Sequence, residues 1–352
     1  DHPLYGRYPG SKGTDTGNAL CREADVILAI GCRFADEACS SYVPGVTFSI
    51  PPTKLYQVDI DEYEIGKNYP VELGVVADAN AFIEALWQEI ATEPADTEKR
   101  AHWEGKVAEL VVPWNKKLDP GRTDRSTPLR ISAVLDIVHD AVPPDTIVLT
   151  GAGHSQAQFL QEYTVNDASQ VISPNGFSTM GFTVPGAIGA KLAAPDRPVL
   201  GFAGDGDFLM TVQELAMAVQ YDVDVTYVVV DNAGWQSIRD LQMDVYGKDR
   251  GFAAEFRDDA GASVQPDLVT VAREFGVQAE QATDERALTG AIGRALASGG
   301  PTVIVVPVRR EFPESAGPVS GWWDVPVPVT SKRRKAEERE VAPVRRDAVK
   351  RS

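Results

Sequence analysis

The chain has 352 residues, 43% of them apolar, and a formal net charge of −17, which is long enough for two domains with filled cores. With a pI near 4.7 it argues against a general binder of nucleic acid or anionic membrane, and no apolar run reaches the length of a membrane span. Lysine is scarcer than arginine and Asp and Glu crowd the sequence, a composition that suits a high-salt cytoplasm, where self-repulsion is screened, as well as a merely acidic enzyme.

In chain order, residues 1–92 read as part of an α/β domain. Ala24 to Cys32, ADVILAIGC, is a buried strand preceded by a short helix, and Lys54 to Ile60, KLYQVDI, is a second strand. Leu73 to Val76 is a third, leading into a helix from Ala79 to Thr92 with apolar positions Phe82, Leu86 and Ile90. Gly31-Cys32-Arg33 lacks the G-x-G-x-x-G spacing of a dinucleotide site, which favours a structural part for this domain. Cys21, Cys32 and Cys39 are an odd set without metal-ligand spacing and read as reduced thiols of a cytoplasmic protein. The first residue is Asp, followed by a Gly- and Pro-bearing stretch, so the sequence reads as starting inside a longer polypeptide. Residues 93–126 read as a charged, partly helical linker with Trp103 and Trp114 as packing anchors.

Residues 127–310 alternate apolar runs near 146–150, 170–172, 199–203, 225–230 and 302–307 with helical stretches, the pattern of a parallel sheet covered on both faces. The expected fold class is therefore α/β, two doubly wound domains with mainly parallel sheets. Val199 to Ala203 breaks at Gly204-Asp205-Gly206 and a helix follows, in which Thr211 and Glu214 have capping-box spacing. Val225 to Val230 ends at Asp231-Asn232. A right-handed crossover would make these two strands parallel and bring Asp205 and Asn232 together at their carboxyl ends. A carboxylate and an amide oxygen suit a hard cation such as Mg²⁺ completed by phosphate oxygens, and the glycines and helix start allow a phosphate to approach. Taken alone, GDG is better read as a tight turn. Residues 311–352 lose periodicity: Gly321 to Pro326, GWWDVP, reads as an extended segment, and from Ser331 a basic tail reads as a solvated helix or a polyanion binder.

GDG is not alone. With Asn232 at its spacing, NGFSTMGFTVPGAIGAK at 175–191 and VQELAMAV at 212–219, the chain resembles thiamine-diphosphate-dependent enzymes, the acetolactate synthase group in particular, over residues 1 to about 310. The stretch VDIDEYEIGKNYPVELGVVADA resembles the second half of that family's central domain, which in some relatives holds a flavin or adenylate. The resemblance implies Mg²⁺ held by Asp205, Asn232 and the carbonyl of Gly234. It implies thiamine diphosphate held by Gly153, His154, Ser155, Gly204, Gly206 and Asp207, with the Ser178 carbonyl receiving the 4′-amino group. Met180 would wedge the two rings of the cofactor into a V, the alternative being a core methionine at a strand–helix turn. The loop Gly151 to Ser155 departs from the family's usual Gly-Gln-His or Gly-Asn-His form, which leaves His154's part open. Trp235, Gln236 and Arg239 are either substrate-facing or a solvated helix start.

The activity implied is decarboxylation of a 2-keto acid such as pyruvate and transfer of the two-carbon unit to a second keto acid. In the family, a glutamate of the partner subunit's N-terminal pyrimidine-binding domain activates the aminopyrimidine, and nothing in this sequence corresponds to that domain. No catalytic residue is therefore assigned in this chain, and little turnover is expected from it alone. The partners expected are a 2-keto acid and either further copies of the chain or a chain supplying the missing domain. Asp244 to Pro266 is longer and more polar than in a typical acetolactate synthase, and with the GWWDVP ending it also resembles trihydroxycyclohexanedione hydrolase, a C–C hydrolase of the same superfamily. A 2-keto acid decarboxylase and, from another class, a catalytically inactive assembly subunit are the remaining alternatives.

Overall fold

The computed structural model describes residues 2–92, 96–165, 170–174, 178–246 and 252–310. The basic tail, the Gly321 to Pro326 stretch and Asn175 to Phe177 lie outside the described residues. The chain divides into two compact units with the boundary between Asn115 and Lys116.

The first unit opens with α1 (Asp15–Glu23), whose Thr14 hydroxyl accepts from Gly17 N at 2.9 Å and so caps an orphan N–H. Next come β1 (Val26–Ile30), β2 (Lys54–Asp59), β3 (Leu73–Val76) and α2 (Ala79–Ile90), the strands forming a parallel sheet in the order β1-β2-β3. One face packs on Phe34, Phe48 and Tyr69, which meet edge to face with centroids 5.4 to 5.8 Å apart. The opposite face corrects the reading of Ala24 to Cys32 as a fully buried strand. Ala29 is buried, but Val26 and Leu28 are about half exposed and line an apolar cleft of about 300 Å³ with Tyr56, Leu73, Phe82 and Leu86. Phe82 and Leu86 of α2 cover this face in part, while Ile90 points to solvent. All three cysteines are free, and burial pushes the Cys39 thiol up to about 12.

The segment read as a partly helical linker contains one continuous 26-residue helix, α3 (Thr97–Arg122), which carries the chain across the unit boundary. Trp114 is buried, as a packing anchor should be, whereas Trp103 is partly exposed with the Lys106 ammonium 5.6 Å from its ring centroid.

The second unit runs α4 (Ile131–Ala141), β4 (Ile147–Thr150), α5 (His154–Glu162), β5 (Val171–Ile172), α6 (Thr183–Ala193), β6 (Val199–Gly204), α7 (Asp205–Met210), α8 (Leu215–Gln220), β7 (Thr226–Asp231), α9 (Gln236–Tyr246), α10 (Leu268–Glu274), β8 (Gln278–Gln281), α11 (Glu285–Ser298) and β9 (Thr302–Pro307). Its six strands are all parallel, in the order β5-β4-β6-β7-β9-β8. Period-two alternation feeds two cores: Val228 and Ile304 join Leu135, Phe159 and Ile292 on one face, and Val229 and Val303 join Val184, Phe208 and Leu268 on the other. A layer of helices thus buries each face, and the central strands β4, β6 and β7 end side by side, with Thr150 opposite Phe202 and Gly204 opposite Val230.

Two local expectations are corrected. Strand β8 was not read from the sequence, because QAEQ carries no apolar run and Ala279 is its single buried side chain. The Thr211 to Glu214 capping box does not form: the helix begins at Asp205, breaks at Thr211 and resumes through a 3₁₀ turn, and the Thr211 hydroxyl donates instead to Gly181 O at 2.8 Å. A tertiary acceptor has taken the hydroxyl that the local motif would use.

Candidate functional site

Four segments meet at one end of the sheet: the turns that leave the carboxyl ends of β4, β6 and β7, and Ser178 to Gly181 before α6. The turn after β6 presents Asp205, 3% exposed, whose carboxylate accepts from Gly206 N at 2.7 Å and from Gly234 N at 2.9 Å. The second of these bonds brings the β6 and β7 turns together, as the parallel pairing requires. Burial first, and then the charge of the neighbouring Asp231, holds the Asp205 carboxyl above the usual carboxylate range, against the pull of the two N–H donors. Asp231 accepts from Ala233 N and from Gln265 Nε2, each at 2.9 Å. Next to Asp231 in sequence, the Asn232 Oδ1 atom is buried without a hydrogen-bond partner among the described residues.

A buried amide oxygen without a donor, on a loop bonded to one of two carboxyl groups that repel each other, is the electrostatic setting that a cation relieves. Among the described residues no three His, Cys, Asp or Glu side chains converge as a metal site. The available donors are oxygens of a carboxylate, an amide and a backbone carbonyl, which fit a hard divalent cation better than a transition metal.

The turn after β4 presents Gly153 as N-cap of α5, with His154 and Ser155 buried in the first turn. His154 Nε2 lies 3.2 Å from Asp240 Oδ2 on α9. The segment Ser178 to Gly181 is pinned from the β6 side. Asp207, 2% exposed, accepts from Gly181 N at 2.7 Å and from the Thr183 hydroxyl, and its carboxyl also takes a bond from Ala152 N. Gly151 must be glycine for this to happen, since a Cβ there would stand 2.2 Å from Asp207 Oδ1. Ser178 donates to Gln156 Oε1 at 2.8 Å. The Met180 methyl and the Trp235 indole both lie against Gly206, where an added Cβ would be 3.2 Å from Met180 Cε and 2.3 Å from Trp235 Cδ1.

Nearly all the residues singled out from the sequence are therefore gathered at one place: Gly153, His154 and Ser155 on the first turn, Ser178 and Met180 on the second, Gly204 to Asp207 on the third, and Asn232, Gly234, Trp235 and Gln236 on the fourth. Arg239 is one turn into α9, paired with Glu255 at 2.6 Å. The carboxylate of Asp207, grouped with the cofactor contacts in the sequence reading, has both oxygens engaged by the protein's own donors. Sequence reasoning passed over Asp231, Thr183, Thr211, Glu255 and Arg310. Asp231 could have been found, because it adjoins Asn232. Arg310 donates to Ala233 O at 2.9 Å across 77 positions of sequence, and no local pattern announces such a contact.

Comparison with known proteins decides the family. Residues 151–306 match the model of the thiamine pyrophosphate enzyme C-terminal TPP-binding domain, and residues 1–86 match the central domain of the same enzymes. The chain belongs to the thiamine pyrophosphate enzymes. It is 31% identical over 309 residues to a probable acetolactate synthase large subunit of Methanocaldococcus jannaschii, covering 86% of this chain and 50% of that protein. It is 32% identical over 301 residues to the acetolactate synthase large subunit of Parasynechococcus marenigrum, covering 86% and 46%. Against the acetolactate synthase isozyme 1 large subunit of Escherichia coli it is 29% identical over 315 residues, covering 88% and 52%. The chain thus spans about half the length of the curated relatives it matches. Its second unit holds the TPP-binding domain, and the gathered turns all lie within it.

Proposed function

We propose that the second unit binds thiamine diphosphate through Mg²⁺, with Asp205, Asn232 and the Gly234 carbonyl as the protein's ligands to the cation. The observation that carries this reading is that Asn232 Oδ1 is buried and unpartnered among the described residues, on the loop whose Gly234 N–H bonds the Asp205 carboxylate. Gly153, His154 and Ser155, at the start of α5, offer N–H groups and the positive end of the helix to the diphosphate. The Met180 side chain stands beside Gly206 as a support for the rings, and the Ser178 carbonyl is the acceptor for the 4′-amino group.

The reaction proposed for the complete enzyme is that of acetolactate synthase: a 2-keto acid such as pyruvate is decarboxylated and its two-carbon unit joined to a second keto acid. Thiamine diphosphate supplies the nucleophile and the electron sink for this chemistry. The protein's part is to bind the diphosphate and fix the angle between the rings, and the Trp235 indole, packed on Phe256 with centroids 5.7 Å apart, stands with Met180 against Gly206. Proton transfer at the aminopyrimidine is assigned to a glutamate of a pyrimidine-binding domain contributed by further polypeptide, in the same or another chain, so this chain by itself is inferred to turn over slowly. C–C hydrolysis is the second reading, favoured by the polar hairpin around Arg257 and Ser263, which adjoins the Gly234 loop.

Calorimetric titration of thiamine diphosphate with Mg²⁺ into the chain tests the cofactor site. Asp205→Ala and Asn232→Ala are each expected to weaken binding about a hundredfold, roughly 2.7 kcal/mol. Unchanged affinity in both variants would sink the assignment. Addition of a pyrimidine-binding domain from a relative, followed by assay with pyruvate, then separates carboligation from hydrolysis, because a hydrolase makes no acetolactate.

A further inference from the structure

The loop that carries Asn232 and Gly234 is held by a second segment. Trp235 N donates to Ala254 O at 2.7 Å and Phe256 N donates to Ala233 O at 3.2 Å, pairing Gly234 with Glu255 in an antiparallel bridge. Glu255 is thereby fixed beside the candidate metal loop, and three guanidinium groups converge on its carboxylate. Arg239 Nε is 2.6 Å from Oε1, while Arg257 Nε and Arg310 Nη1 are 3.2 Å and 3.5 Å from Oε2. The three come from different places in the sequence: the first turn of α9, the hairpin beyond Phe256, and the residue three beyond β9.

One carboxylate does not neutralise three guanidiniums. Asp240 takes a share of Arg239 at 3.1 Å, but it also lies against His154. Arg310 is drawn to Asp205 and Asp231, whose charge the proposed cation would offset. Burial first, and then repulsion by Arg257, pull the Arg310 guanidinium below its ordinary basicity against the attraction of Glu255, Asp205 and Asp231. Donors are in surplus as well. Among the described residues, Arg310 Nη1 is buried without a hydrogen bond, its nearest carboxylate oxygen being Glu255 Oε2 at 3.5 Å, and Nε2 of Gln236, a residue only 7% exposed, is buried without one as well. That Nε2 lies 3.2 Å from the place where a Cβ on Gly234 would stand, against the same loop.

We propose that Arg239, Arg257 and Arg310, gathered by Glu255 and joined by Gln236, form the subsite that takes the carboxylate of the 2-keto acid. The proposal rests on the cofactor reading above for its place in the reaction, and it adds Arg257, Arg310 and Glu255 to the residues that choose the substrate. A guanidinium presents a planar fork of donors that matches a carboxylate. Glu255 spaces the guanidiniums and keeps one negative charge among them, so that a small monoanion fits better than a phosphate dianion. A chain of net charge −17 repels any anionic substrate at long range. Three guanidiniums held around one carboxylate, beside the loop of the candidate metal ligands, are what reverses that repulsion locally.

The test is saturation-transfer NMR on the methyl protons of pyruvate and of its neutral methyl ester, with the full chain free of cofactor, in wild type, Arg257→Gln, Arg257→Lys and Arg310→Gln. Pyruvate is expected to bind at least about tenfold more tightly than the ester, the worth of one charge-assisted contact. Arg257→Gln and Arg310→Gln are each expected to erase most of that preference, and Arg257→Lys to restore part of it, because charge survives but the fork does not. Arg257 is the more exposed of the two arginines, so the test stands even if Arg310→Gln misfolds. Equal binding of acid and ester, or an unchanged preference in Arg257→Gln, overturns the subsite. Failure of the wild-type chain to bind thiamine diphosphate with Mg²⁺, while the preference for pyruvate remains, would instead bring down the cofactor reading and leave the anion site standing.

Discussion

Asp207 shows how one buried carboxylate can organise a site without facing its ligand. Its oxygens take the Gly181 N–H and the Thr183 hydroxyl, and Thr211 holds the Gly181 carbonyl, so the residue after Met180 is gripped at both ends by the segment that begins with Asp205. The height of Met180 is thus registered to the candidate metal ligand two residues before Asp207. Asp207→Ala would leave buried donors unmatched and is expected to cost about 2 to 4 kcal/mol in calorimetric unfolding of the second unit, with Asp207→Asn costing less because an acceptor for Gly181 N remains. Gly151→Ala is also expected to destabilise, through a Cβ 2.2 Å from the carboxylate oxygen. In the Asp207→Ala background that clash is gone, so the double variant should be more stable than the sum of the two single effects by at least about 1 kcal/mol. Additive effects would show that the glycine answers to something other than the carboxylate.

The same residues show what was legible in the sequence at the level of elements. The strands β4, β6 and β7 and the turns after them are readable, because an apolar run ending at Gly, Asp or Asn is a local signal, and β9 is readable from its β-branched run Thr302 to Val306 alone. The break of the helix at Thr211 and the strand β8 were not, since one is decided by a distant carbonyl and the other by pairing with β9 along an edge. The grouping of Asp205 with Asn232 followed from topology, whereas Glu255 and Arg310 reach the loop only through tertiary pairing. In the first unit ADVILAIGC reads from the sequence as a buried strand, yet Val26 and Leu28 of β1 and Leu73 of β3 stand about half exposed. Parallel sheets of this kind seldom leave an apolar face in water. The chain is therefore expected to bind the dye ANS at this cleft, and Leu28→Lys to reduce the dye signal while moving Tm by less than about 2 °C. Leu55→Ala, in the buried core of the same sheet, should by contrast cost about 2 to 5 kcal/mol. An unchanged dye signal in Leu28→Lys would place the apolar surface elsewhere.

Across the whole molecule, the charge of −17 sets two electrostatic effects against each other. Added salt weakens exposed ion pairs such as Arg294 with Glu280 at 2.7 Å, which solvent already screens. It also screens the repulsion among the excess carboxylates, as the Debye length falls from about 10 Å at 0.1 M to about 3 Å at 1 M. The excess acidic groups have no cation to pair with, so their repulsion is spread over the surface and relief of it should win. Tm is expected to rise between about 0.05 and 0.5 M KCl and then to flatten once the Debye length is shorter than the spacing of surface charges. A rise that continues linearly into molar salt would point to solute exclusion from apolar surface, and a fall would mean that the ion pairs dominate. The cluster on Glu255 should respond differently. Its guanidiniums are partly buried and lie close to where the carboxylate would sit, and charges that are close and shielded from solvent are screened least. The preference for pyruvate over its ester should therefore persist at KCl concentrations where the stability gain has already levelled off. Its disappearance over the same range as the rise in Tm would identify it as a general effect of the surface charge rather than a property of the three arginines.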